Sequence, residues 1–153
     1  MSEQLNIVMA QLNFLVGDIE GNTELIIANA KRAADDFAAD VVVFPELALT
    51  GYPPEDLLLR PSLKPRVERA LQCILKQNLS SILVIGFPEN TGDEVFNALL
   101  VAHQGDVLAK YRKQYLPNYQ VFDERRYFAP GRKACTVDLK GTKIAFTICE
   151  DLW

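Results

Sequence analysis

The chain has 153 residues, 49% of them hydrophobic and 24% charged, with a formal net charge of -4. That is long enough for one domain with a true core, and the acidic balance argues against nucleic-acid binding, because a phosphate backbone selects a basic face. No apolar run approaches the length of a membrane span, and Met1-Ser2-Glu3-Gln4 lacks the basic and apolar regions of a secretion signal, so a cytoplasmic protein without a membrane partner is expected.

Residues 5–11 alternate around Ile7 and Met9 and predict a strand. Gly17-Asp18 and Gly21-Asn22 mark a loop; Asn22 is the expected helix N-cap, Ile26, Ala30, Ala33 and Phe37 recur at helical spacing, and Asp40 closes the helix. Val41-Val42-Val43-Phe44, stopped by Pro45, predicts a buried strand, so the chain opens β-α-β. Residues 50–54, with Gly51, Pro53 and Pro54, form a turn-rich loop. A helix over 56–60 follows, then another from Pro65 with Val67, Ala70, Leu71, Ile74 and Leu75 on one face. Next come a strand over 81–87, a loop over 88–93, and strands over 95–102 and 106–111 joined by a turn at Gln104-Gly105. Residues 112–132 are long for a loop in a compact domain, and Tyr115, Tyr119, Phe122, Tyr127 and Phe128 make them too aromatic for disorder, which marks the segment as functional. A last hairpin pairs 135–139 with 143–148 across Lys140-Gly141, the second strand reading as buried. Helices early and strand pairs late predict an α/β fold with a mixed sheet.

The cysteines, Cys73, Cys135 and Cys149, are odd in number and widely spaced, and there is one histidine, which speaks against a disulfide framework and against a zinc or other metal site. Two core thiols and one reactive thiol are expected. Cys149 ends an apolar strand and is followed at once by Glu150 and Asp151, so its sulfur is placed either in a core or at the mouth of a pocket. Glu46 lies in the apolar stretch Val43-Phe44-Pro45-Glu46-Leu47-Ala48-Leu49; it is either a solvated strand end or a buried carboxyl suited to general-base work. Lys113, in Lys110-Tyr111-Arg112-Lys113, reads by itself as a solvated basic cluster. His103 sits in a turn, which sets aside a cysteine–histidine mechanism and leaves Glu46 as the natural proton acceptor for Cys149.

The order Glu46, Lys113, Cys149, each after an apolar strand, resembles the Glu-Lys-Cys triad of the nitrilase or carbon–nitrogen hydrolase superfamily. The longer motifs are more specific. Phe44-Pro45-Glu46-Leu47-Ala48-Leu49-Thr50-Gly51-Tyr52-Pro53-Pro54, the segment from Lys113 through Pro117-Asn118-Tyr119 to Phe128, and Ile148-Cys149-Glu150-Asp151-Leu152-Trp153 are similar to the glutaminase domains of glutamine-dependent NAD synthetases. The resemblance covers the chain from Leu5 onward.

It implies a four-layer α-β-β-α sandwich with mixed sheets, of which residues 1–153 are the N-terminal portion, the family's domains continuing well past the nucleophile. It implies Cys149 as nucleophile, Glu46 as general base and Lys113 as the oxyanion-stabilising cation, with Glu124 in support and Tyr52, Tyr119 and Phe122 contacting a glutamine substrate. Glu150, next to the nucleophile, is read as a further supporting acid. The implied reaction releases ammonia from glutamine through a cysteine thioester. The ammonia then serves a separate synthetase domain, where ATP and magnesium are expected; this stretch holds neither a Ser-Gly-Gly-x-Asp nor a G-x-x-x-x-G-K-[ST] loop and needs no cofactor of its own. The parent is expected to be a homo-oligomer. The alternatives are a stand-alone carbon–nitrogen hydrolase on another small amide, nitrile or carbamoyl compound, and a non-catalytic remnant. Ending at Trp153, the chain is expected to leave strand edges and an apolar face uncovered, to associate, and to be inactive by itself.

Overall fold

The computed structural model describes residues 4–153; the reading of the first residues as lacking a signal falls largely on residues 1–3, outside that range. The strands are β1 (Ile7–Met9), β2 (Val41–Val43), β3 (Ile82–Asn90), β4 (Val95–His103), β5 (Asp106–Arg112), β6 (Thr136–Leu139) and β7 (Thr142–Ala145), and the helices are α1 (Ile19–Phe37) and α2 (Leu63–Leu75). β1 to β5 form one sheet in chain order, parallel from β1 to β3 and antiparallel from β3 to β5, and β6 and β7 form a separate antiparallel pair. The mixed sheet matches the expectation.

Alternation along the central strands divides the core in two. Val42, Leu83, Ile85, Ala98 and Leu100 face α1 and α2, whereas Val41, Val84, Leu99, Val101 and Tyr111 face the opposite way and meet Leu139, Ile144, Phe146 and Ile148 of the β6–β7 segment. The described residues therefore build three layers, helices, sheet and hairpin sheet, in the order that the implied sandwich requires. Both tight hairpins use turns in which the two central residues have positive φ: Gln104-Gly105 (48° and 84°) and Lys140-Gly141 (49° and 74°), the twist that suits two-residue hairpins.

Several local expectations are corrected. Asp18, not Asn22, caps α1, accepting a hydrogen bond from Gly21 N–H. Asn22 lies inside the helix and is buried; its amide donates to the carbonyls of Leu15 and Leu49, and its carbonyl accepts from Leu15 N–H, so it pins two loops to the helix. Asp40 stands beyond the helix end and accepts from Asn6 N–H and from Lys140. The helix over 56–60 is a short 3-10 turn, Glu55–Leu59. β3 continues through Pro88 to Asn90 where a loop was expected. Of β3, β2 pairs only with Ile82 to Val84, so at Pro88 that side of β3 is edge-like and tolerates a residue without an N–H. The expected buried strand over 143–148 is covered on one face only: Ile144 and Phe146 pack inward, while Ala145 and Thr147 are exposed. Ile7 and Met9 also face away from the helices and are exposed, Met9 at 82%.

Candidate active site

Glu46 is held by one of the most tightly packed turns of the molecule. After β2, Ala48 N–H donates to Pro45 carbonyl, Thr50 N–H to Leu47 carbonyl and Leu49 N–H to Gly86 carbonyl, and Leu47, Ala48 and Leu49 are buried. The chain can approach β3 this closely because residue 86 is glycine: a Cβ there would stand 2.4 Å from Leu47 N and 2.5 Å from Pro45 O. Both are backbone atoms and cannot swing aside. Gly86→Ala is expected to lower stability by about 1–3 kcal/mol and to displace Glu46; thermal unfolding measures the first, and an unchanged Tm would refute the close-approach argument.

Lys113 follows β5 directly. Its N–H donates to Asn97 carbonyl and its own carbonyl accepts from Gly131 N–H, so strand alternation sends its side chain to the same face as Tyr111. There it is wholly buried. The ammonium donates to Glu46 Oε1 at 2.6 Å and to Glu124 Oε1 and Oε2 at 3.0 and 2.9 Å. Glu124 begins a 3-10 turn (Glu124–Arg126) inside the long aromatic segment, anchored by its own N–H on Pro117 carbonyl. Tyr52 hydroxyl donates to Glu124 Oε1 at 3.1 Å, and Asn97 amide donates to Glu46 Oε1 at 2.7 Å. Burial would expel a lone ammonium or carboxylate from this site; the surrounding partners permit all three charges.

Cys149 is exposed, with φ 44°, at the first position of a short 3-10 turn, Cys149–Leu152. It shares a cleft of about 310 Å³ with Glu46, lined further by Phe44, Leu99, Phe146 and Ile148. Glu46, Lys113 and Glu124 are bonded together, and Cys149 lines the same cleft as Glu46. Tyr119 hydroxyl donates to Glu150 Oε1 at 2.9 Å, and Phe122 packs edge-on against Tyr119, centroids 5.7 Å apart. Tyr52, Tyr119 and Phe122 are all at least partly open to solvent.

The charges settle the resting protonation. Burial alone would lower the Lys113 pKa, but the hydrogen bonds and charges of Glu46 and Glu124 outweigh it and hold the group protonated. Burial pushes the Glu124 carboxyl up, the Glu46 charge adds to the rise, and Lys113 and Tyr52 oppose it. The Cys149 thiol is also raised, first by burial, then by the Glu46 charge, with Lys113 pulling the other way. The thiol is therefore neutral at neutral pH. Lys113 does not ionise it in advance, because burial opposes the thiolate and two carboxylates offset the lysine's charge.

Two residues escaped the sequence reading. Asp151 Oδ1 accepts from Gln114 N–H and Tyr115 N–H, and its Oδ2 accepts from Tyr111 hydroxyl and Ile148 N–H, all within 3.0 Å. It ties the cysteine turn to the segment that follows Lys113. Asn97 is the other; a lone amide within the apolar run of β4 was its signal. His103 lies apart, its Nε2 at 3.0 Å from Ser80 carbonyl. Cys135 is partly buried against the second core, as expected of a structural thiol. Cys73 is exposed instead of buried, because it falls beside, not within, the Val67-Ala70-Ile74 stripe of α2. Among the described residues no group of three or more His, Cys, Asp or Glu is placed to hold a metal ion, and no helix is long and apolar enough to cross a membrane.

Residues 5–153 match the family model for carbon-nitrogen hydrolase. The chain belongs to this family. Among curated carbon–nitrogen hydrolase relatives, it is 49% identical to the glutamine-dependent NAD(+) synthetase of Xanthomonas campestris over 97% of its length, and 45% identical to that of Aquifex aeolicus over 97%. It spans only 27% and 26% of those proteins, about a quarter of their length. The glutamine-dependent NAD+ synthetase of Acinetobacter baumannii has the same fold with a TM-score of 0.92 at 39% identity, covering 96% of this chain and 28% of that one. An amidase from Nesterenkonia sp. has it with a TM-score of 0.85 at 24% identity, covering 99% and 58%, a likeness of fold alone.

Proposed function

We propose that this carbon–nitrogen hydrolase chain is the N-terminal part of the glutamine amidohydrolase portion of a glutamine-dependent NAD synthetase. The observation that carries the proposal is the buried Lys113 ammonium clasped by Glu46 and Glu124, with Cys149 lining the same cleft as Glu46. The names of the relatives supply glutamine as substrate.

The chemistry follows from the resting protonation. Glu46 takes the proton from Cys149 Sγ as the sulfur attacks the side-chain amide carbon, forming the C–S bond and moving the carbonyl electron pair onto oxygen. Lys113 offsets that negative charge. Its three contacts saturate the ammonium, so direct donation to the oxyanion requires exchange of one of its two contacts with Glu124. Glu46 returns the proton to the amide nitrogen, the C–N bond breaks, and ammonia leaves. Water then attacks the thioester, Glu46 accepting its proton, and glutamate departs as the thiol is restored. Tyr52 stays a hydroxyl donor, its pKa raised by burial and by the Glu124 and Glu46 charges. Tyr52, Tyr119 and Phe122 face the substrate, and Glu150 orients Tyr119.

In this proposal ammonia passes to a synthetase portion that amidates nicotinic acid adenine dinucleotide. ATP and magnesium act there, in a cytoplasmic homo-oligomer, and no step of the amide chemistry passes through them. The test is ammonia release from glutamine compared with simple aliphatic amides, nitriles and carbamoyl compounds, on the protein that carries this chain. Preference for glutamine is expected. Faster release from a simple amide would point to a stand-alone hydrolase, and no release from any of them to a non-catalytic chain.

A further inference from the structure

Glu46 Oε1 and Oε2 are not equivalent. Oε1 accepts from Lys113 at 2.6 Å and from Asn97 at 2.7 Å, while Oε2 accepts from no described residue. Lys113 and Asn97 are almost completely buried, and Glu46 keeps 18% of its side-chain surface open. Asn97 shows what its orientation serves. Its carbonyl Oδ1 is the one buried side-chain polar atom among the described residues that lacks a hydrogen-bond partner. A buried acceptor left unsatisfied lowers stability. Turning the amide over would set Oδ1 against the carboxylate oxygen, so the position keeps an orphaned carbonyl in order to aim an N–H at Glu46. Strand alternation places Asn97 on the same face as Leu99, which lines the cleft, and the N–H of Lys113 is bonded to the backbone carbonyl of Asn97. One residue of β4 thus fixes both the backbone of the cation and the rotamer of the base.

We propose that Asn97 is a positioning residue for proton transfer: with Lys113 it occupies Oε1 of Glu46, so that Oε2 is the oxygen that takes the proton from Cys149 Sγ. The inference rests on the reading of Glu46 as the base. When Oε1 is held, the carboxylate cannot rotate, and the proton-accepting oxygen stays on the cleft side. Without the amide, a single contact to Lys113 leaves the carboxylate free to turn and to share both oxygens with the ammonium.

The test is the rate of Cys149 alkylation by iodoacetamide across pH, followed on the Cys149 peptide by mass spectrometry so that Cys73 and Cys135 do not contribute. Asn97→Leu, of the same branched shape, is expected to slow the reaction about tenfold near neutral pH, where the thiol must lose its proton to a base. The loss should shrink steadily as pH rises and the thiol ionises unaided. Because the substitution also removes the orphaned carbonyl, its Tm should equal or exceed that of the parent; Asn97→Ala, which removes the N–H without adding bulk or charge, should show the same pH-dependent loss. Equal slowing at every pH, or no slowing while Glu46→Gln is slow, would overturn the role of Asn97 and leave Glu46 as base. A Glu46→Gln protein as fast as the parent at neutral pH would overturn both.

Discussion

Lys113→Met should lower stability at neutral pH by about 3–5 kcal/mol, the range for removing one partner from a buried ion cluster. The side chain is fully buried, and its loss leaves Glu46 and Glu124 facing each other without a cation. The effect depends on pH with a definite sign. Burial and the Glu46 charge already hold the Glu124 carboxyl above its ordinary value, and Lys113 opposes them. Without Lys113 the folded value rises further. A carboxyl with a raised folded value favours the folded state at low pH, and that contribution is lost as pH climbs through the folded value. The deficit of the variant should therefore be largest at neutral pH and shrink toward about pH 3, below the ordinary glutamate value of about 4.3, where the charge of Glu124 no longer has to be accommodated. Denaturant unfolding of parent and variant at the two pH values measures it. A neutral-pH stability equal to the parent's, or a deficit that does not change on acidification, would mean that Lys113 is not the counter-charge of this cluster.

Cys149→Ala should reduce glutamine hydrolysis by about 10⁶-fold, the scale of removing a catalytic nucleophile, with little change in stability. Residue 149 is exposed and belongs to neither hydrophobic core, and alanine bears its positive φ no worse than cysteine does, so the change in folding should stay within about 0.5 kcal/mol. Cys73→Ala and Cys135→Ala should leave hydrolysis intact. If ammonia is consumed at a separate site, synthesis driven by an ammonium salt should survive Cys149→Ala, and only the glutamine-driven reaction should fail. Equal loss with both nitrogen donors would assign residue 149 a structural role instead.

The features readable in the sequence were those set by near neighbours. Gln104-Gly105 and Lys140-Gly141 declare their hairpins because the turn demands residues that accept positive φ, and the apolar runs before Glu46 and Cys149 declare β2 and β7, although these strands end at Val43 and Ala145, short of both residues. Features set by distant partners were hidden. Asn22 looks like a cap until Leu15 and Leu49 are brought to it. Pro88 looks like a loop until the early end of β2 leaves one side of β3 open. Lys113 reads as a surface cation because nothing nearby announces that residues 67 and 11 positions away will enclose it. Asp151 is invisible as a clamp because its four donors come from two segments. The raised thiol is likewise a property of the assembled site: a lysine beside a cysteine promises a thiolate, and burial, joined by the Glu46 and Glu124 charges, reverses that.

Exposure alone ranks Cys73 and Cys149 as comparable targets, both lying open to solvent, whereas the catalytic account gives only Cys149 a base and a neighbouring cation. The most direct measurement is the site of covalent modification by a glutamine-mimicking electrophile, mapped by mass spectrometry on the parent and on Glu46→Gln. The account predicts one adduct, on Cys149, formed far more slowly in Glu46→Gln and suppressed by excess glutamine. Modification that falls first on Cys73, or that labels Cys149 equally fast without the Glu46 carboxylate, would contradict it.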